Sequence, residues 1–173
     1  MRCFIAIDIP RKIKLKIKEI QDKLPEFIGK KIEFENLHLT LKFLGEVSLD
    51  NIEKIKERLG KIKIKKFEAE IDFIGVFSER EIRIIWMRVK NLASLQKEID
   101  NSLKDLFEKE KRFMEHLTIA RIKNIEDKKE FLENLKRIKI EKLNFLVDNF
   151  RLKESILKRE KPTYLDKETF LLI

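Results

Sequence analysis

Histidine, cysteine, proline and glycine are all scarce in this chain of 173 residues: two, one, three and four, respectively. With one thiol, Cys3, no disulfide framework can form, and one thiol with two histidines cannot build a zinc finger. Gly29, Gly45, Gly60 and Gly75 stand far apart. They allow neither the GxGxxG turn of dinucleotide-binding folds nor a Walker-type phosphate loop. No run approaches the roughly 18 consecutive apolar residues of a membrane span. The opening MRCFIAIDIP carries an aspartate and lacks a small-residue cleavage site, so it reads as a first strand and not as a signal peptide. The chain is accordingly expected in the cytoplasm.

Charge is abundant. At 41% charged and 43% hydrophobic residues the chain is globular and not disordered. Lysine and glutamate interleave with isoleucine, as in KIKLKIKEIQDKL at 12–24, a composition typical of proteins from hot environments. The net charge of +9 also favours polyanionic partners such as nucleic acids or phosphorylated metabolites. The basic runs at 61–66 and 151–161 read as solvated faces, either of which can rim a nucleic-acid groove.

Periodicity places strands at 2–9, 31–35, 37–44, 66–77, 82–89, 115–122 and 163–173, with an interrupted strand at 140–157. In 66–77 the alternation puts Phe67, Ala69, Ile71, Phe73 and Gly75 on one face. The SERE turn pairs this strand with the next as a hairpin, in which Trp86 is a packing residue. Helical spacing marks 10–24, 49–59, 91–108 and 126–137, with Ser48 or Asp50 and then Asn91 as cap candidates. No linker or composition break divides the chain. The order of elements indicates an α+β fold with largely antiparallel sheet, a single domain over 1–173.

One internal echo stands above this background. Residues 37–44 read LHLTLKFL and residues 115–122 read EHLTIARI. The only two histidines, 78 positions apart, are each followed by Leu-Thr-aliphatic. Chance gives this on the order of one time in a million on average composition. Side chains alternate along a strand, so His38 and Thr40 share a face, about 6.5–7 Å apart, as do His116 and Thr118. Leu39, Leu41, Leu117 and Ile119 point the other way, into helices. Two similar halves facing across a pseudo-two-fold axis would gather two imidazoles and two hydroxyls in one groove. A neutral imidazole can take a proton while a protonated one supplies a proton to a leaving group. Threonine hydroxyls can donate to non-bridging phosphate oxygens. An in-line displacement at a phosphodiester suits that set. The symmetry leaves open which histidine is acid and which is base.

The HLTL and HLTI motifs resemble the signature of the two-histidine (2H) phosphoesterase superfamily. Together with MRCFIAIDIP, LHLTLKFLGEV at 37–47 and HLTIAR at 116–121, they resemble the LigT-like RNA 2′,3′-cyclic phosphodiesterases, also called 2′-5′ RNA ligases. The likeness extends to Leu152, Ser155, Tyr164 and Phe170. It implies a bilobed α+β fold whose two antiparallel sheets face a central groove with helices outside. It implies hydrolysis of RNA 2′,3′-cyclic phosphate ends to 2′-phosphates without metal or cofactor, and in some members reversible 2′-5′ joining of RNA. By motif position it makes His38 and His116 the acid/base pair, Thr40 and Thr118 phosphate-binding hydroxyls, and Arg121 a phosphate-contacting cation. Phe43 would line the base-binding side. The implied partner is an RNA with a cyclic phosphate end, tRNA halves among the candidates, met by a monomer with no membrane partner. Two departures stand out: Glu115 replaces the proline often found before the second histidine, and Arg121 has the opposite strand parity to His116. A carboxylate at 115 would either raise the neighbouring imidazole's pKa or face solvent. Arg121 reaches the groove only through a twist or bulge. An RNA-end-binding module without turnover is the alternative, and a zinc site a third and weaker one.

Overall fold

A computed structural model describes residues 1–173. Nine strands and four helices follow one another: β1 (Arg2–Asp8), α1 (Arg11–Asp22), β2 (Ile28–Lys31), β3 (His38–Glu46), α2 (Leu49–Gly60), β4 (Phe67–Val76), β5 (Ile84–Lys90), α3 (Ala93–Leu103), β6 (His116–Asn124), α4 (Lys128–Lys136), β7 (Leu143–Val147), β8 (Asn149–Lys158) and β9 (Lys161–Leu171). The strands form two wholly antiparallel sheets, of order β3-β1-β8-β9 and β2-β6-β5-β4-β7. The two motif strands, β3 and β6, lie next to each other where the sheets meet. One face of each sheet is apolar and packs on helices. Ile13 and Ile17 of α1, Ile52, Ile55 and Leu59 of α2, Leu95, Ile99 and Leu103 of α3, and Phe131 and Leu135 of α4 join one core of 38 buried residues. These are the positions that helical spacing singles out. Cys3 is buried in that core, and burial pushes its thiol pKa up. No helix is long and apolar enough to cross a membrane.

Local chemistry explains the helix starts. Ser48 caps α2 by accepting from the Asn51 N–H, and Asp127 caps α4 by accepting from the Glu130 N–H. At α3 the expected cap fails. Asn91 takes a positive φ of 78° and turns its amide to the Glu68 carbonyl. The α3 N-terminus is closed instead by Glu115, whose Oε1 accepts from the Leu92 and Ala93 N–H groups at 2.7 and 2.9 Å. That carboxylate is spent on the helix start. It neutralises the exposed amides of a helix start.

Three expectations about boundaries and faces are corrected. The strand expected at 31–35 lies at Ile28–Lys31, and Phe34–Asn36 form a 3₁₀ turn. Its four residues are all exposed, so no apolar alternation marks it. The helix expected to reach 108 ends at Leu103. In β4 the alternation breaks. Ile71 pairs with Val89, but Phe73 pairs with Arg88, so Asp72 is a bulge. Ala69 and Ile71 stay in the core, while Phe73 moves to the opposite face and Ile74 takes its place inside.

Candidate active site

β3 and β6 repeat each other in burial, position by position. Each is nine residues long, with the same succession of buried and exposed positions. Each begins on its histidine. In β3 the neighbours of Ile5 and Ala6 are Lys42 and Thr40, so Leu41 is passed over. In β6 the neighbours of Ile85 and Trp86 are Ala120 and Thr118, so Ile119 is passed over. Equivalent bulges thus follow the two HxT triplets. A bulge reverses strand parity, which resolves the position of Arg121: beyond it, Arg121 shares the face of His116 and Thr118. Phe43 is its counterpart on β3. The extra carbonyl, that of Ile119, accepts from the Ile32 N–H and from the buried Gln21 side chain, each at 2.9 Å. Gln21 on α1 therefore supports the bulge that turns Arg121 inward.

These residues converge. His38, Thr40, Phe43, His116, Thr118 and Arg121 all line one groove of about 550 Å³. Both imidazoles are held alike. His38 Nδ1 lies 2.6 Å from the Asn36 carbonyl, and His116 Nδ1 lies 2.8 Å from the Met114 carbonyl, each two residues upstream. A carbonyl only accepts, so each Nδ1 carries a proton and each Nε2 is left to exchange one. The surroundings differ. His38 packs against Phe4 and Tyr164, at centroid distances of 5.1 and 4.9 Å. His116 meets the edge of Phe77 at 5.2 Å. Tyr164 and Phe77 line the groove, and sequence reasoning did not select either as a site residue. Nothing in their spacing sets them apart from core aromatics. Phe43, three-quarters of whose surface is exposed at 74%, is a groove wall and not a core residue.

Burial lowers the His38 pKa from 6.5, and the Lys153 ammonium adds to this; the hydrogen bond to the Asn36 carbonyl and the Asp8 charge oppose it without cancelling it. The neutral form is therefore favoured near pH 7. The titration of the His38 ring, followed by NMR, is expected to have its midpoint below 6.5. Linkage gives the sign for stability. Between the folded and unfolded values the unfolded chain binds this proton and the folded protein does not, so stability falls as pH drops below 6.5. Urea unfolding at pH 7.5 and 5.5 checks this, and His38→Asn should show the smaller acid loss.

Cations rim the groove. Lys31, Lys161 and Lys42 are paired with Asp22, Glu33 and Asp100, respectively, which leaves Lys30, Arg112 and Arg121 for an anionic ligand. Of the basic run at 151–161, Arg151 and Lys153 are committed to Asp8 and Asp166. No group of three or more His, Cys, Asp or Glu side chains is arranged so that it could hold a metal ion.

A family model for LigT-like phosphoesterases matches residues 7–86 and 88–164, with one histidine motif in each segment. The RNA 2′,3′-cyclic phosphodiesterase of Methanocaldococcus jannaschii is 38% identical over 170 residues, covering 95% of this chain and 96% of that protein. That of Archaeoglobus fulgidus is 35% identical over 177 residues, covering 98% and 99%. Among solved structures, Escherichia coli LigT in complex with phosphate superimposes with a TM-score of 0.76 at 25% identity, over 99% of this chain and 96% of that one. TT0787 of Thermus thermophilus shares the fold, with a TM-score of 0.83 at 24% identity over 99% and 97%. On sequence, fold and paired motifs together, the chain belongs to the LigT-like phosphoesterase family.

Proposed function

We propose that this protein is an RNA 2′,3′-cyclic phosphodiesterase that opens the cyclic end to a 2′-phosphate with His38 and His116 as its acid/base pair. The observation that carries the reading is the matched pair of imidazoles. Both keep Nδ1 on a backbone carbonyl and both line one groove, in a chain whose relatives carry that name. A water oxygen attacks phosphorus, and its proton passes to the neutral Nε2 of one histidine. The bond from phosphorus to the ribose 3′ oxygen breaks, and the protonated Nε2 of the other histidine delivers a proton to that oxygen. Thr40 and Thr118 donate to the non-bridging oxygens, and Arg121 balances the charge that builds on them. Phe43 packs against the base of the reacting nucleotide. Each proton travels through an imidazole, so the chemistry asks for no metal. With the 5′-hydroxyl of a second RNA in place of water, the same exchange makes a 2′-5′ linkage.

Chelator-treated protein incubated with a short RNA ending in a 2′,3′-cyclic phosphate tests this. The end should become a phosphatase-sensitive monoester, with a bell-shaped pH–rate curve whose limits belong to the pair. Tight binding with an unchanged cyclic end would instead support a module that holds RNA ends without turnover.

A further inference from the structure

The concave face of the β4–β5–β6 sheet continues beyond the groove. Across the strands, His116 stands opposite Arg88, and Arg88 opposite Phe73. In the adjacent row Thr118 stands opposite Trp86, and Trp86 opposite Gly75. Residues directly opposite share a face, so both rows run outward from the HxT triplet. Three aromatic rings occupy this surface. Phe77 stacks on Trp86 at 5.2 Å with 27° between planes, and it also meets the His116 ring edge-on. Phe73 lies 6.0 Å from Trp86. Phe73 is present here only because the bulge at Asp72 lifts it out of the core. Its ring crosses the bare backbone of Gly75, where a Cβ would come within 2.7 Å of it. The Arg88 guanidinium sits 5.3 Å over the Phe73 ring, held by both oxygens of Asp72 at 2.8 and 3.0 Å. Phe73 and Phe77 nevertheless remain 47% and 46% exposed.

We infer that this aromatic shelf is a second nucleobase subsite, which receives the base of the RNA nucleotide next to the one bearing the cyclic phosphate. The inference rests on the phosphodiesterase reading and extends it to the polymer. The shelf is continuous with the groove through Phe77, which touches His116 and Trp86 at once. It lies on the His116 side, whereas Phe43 and Tyr164 wall the His38 side. A chain leaving the reacting phosphate in that direction meets exposed rings beside a guanidinium. Any base stacks on such a surface regardless of sequence, and the net charge of +9 favours the RNA backbone.

The test compares three substrates: a mononucleoside 2′,3′-cyclic phosphate, a dinucleotide with the same end, and that dinucleotide with its first residue abasic. The wild-type protein should prefer the intact dinucleotide to the abasic one. Phe73→Ala should lower kcat/KM on the intact dinucleotide by about fivefold to a hundredfold, with little change on the mononucleoside or the abasic dinucleotide. Phe73→Tyr, which keeps a ring, should restore the preference. Equal losses on all three substrates, or no wild-type preference for the intact dinucleotide, would overturn the subsite. They would leave Phe73 a packing residue over Gly75. Failure of the wild-type protein to open any of the three would overturn the phosphodiesterase reading, and the subsite with it.

Discussion

Alanine at His38 or at His116 is expected to lower kcat by about a hundredfold or more, with the protein still folded. In the proposed reaction each imidazole is one end of a proton exchange across phosphorus, and both hold Nδ1 on a backbone carbonyl with Nε2 left free in the same groove. Thr40, Thr118 and Arg121 remain in the variants, so KM should move much less than kcat. The two losses should not add in the double variant, because removing either partner already disables the pair. His38 packs between Phe4 and Tyr164, so its truncation leaves a gap; His38→Gln fills that gap and should be as inactive. Steady-state kinetics on a cyclic-phosphate RNA check this, with circular dichroism to establish that each variant is folded. Full activity in either variant would remove that histidine from the chemistry.

The second large effect concerns Lys42. Its counterpart on β6 is Ala120, fully buried, and Lys42 is buried too, its side chain only 2% exposed. The ammonium meets Asp100 of α3 at 2.5 Å and donates to the Glu108 carbonyl at 2.6 Å. The other Asp100 oxygen accepts from Gln96 and from the Glu110 N–H. Burial by itself would raise the Asp100 pKa, but these partners outweigh it and hold it below the ordinary carboxylate value. A carboxylate lowered in this way stabilises the fold above the ordinary value, and that contribution is lost as pH falls through the lowered one. Lys42→Met strands a buried carboxylate and is expected to cost about 3–5 kcal/mol. Lys42→Met combined with Asp100→Leu removes both charges and should cost less than the two single changes together. Chemical denaturation measures all three.

The pair also reaches the chemistry. It ties down the segment after α3 at Glu108 and Glu110, and that segment carries Arg112, Phe113 and Met114 on the groove. The Met114 carbonyl orients His116. Lys42→Met should therefore lower kcat, by up to about a hundredfold, at temperatures where it is still folded.

Much of this was legible in the sequence because strands alternate and the chain repeats its motif. The two HxT triplets, their shared face and the helices behind them follow from period and spacing. What escaped was decided by interactions between distant residues. Motif position marks Phe43 and Arg121, and the parity of Arg121 already calls for a twist or bulge, but alternation does not place the bulges at Leu41 and Ile119 that turn both residues into the groove. The bulge at Asp72 likewise turns Phe73 out of the core, onto the sheet face beyond the groove. Lys42 reads as an ordinary strand lysine until Asp100, 58 residues away, is placed beside it. Asp100 also helps explain why α3 stops short of 108, since one of its oxygens holds the Glu110 N–H in an irregular segment. Glu115 looked like a neighbour of His116, and only the packing of α3 reveals it as a helix cap.

Phosphorus NMR of a cyclic-phosphate RNA treated with metal-stripped protein reports the reaction and its direction at once. The cyclic resonance should give way to a 2′-phosphate monoester alone, and the His38→Ala and His116→Ala proteins should leave it standing. A 3′-phosphate product, or a cyclic resonance that persists with the wild-type protein, would contradict a two-histidine displacement that expels the 3′ oxygen.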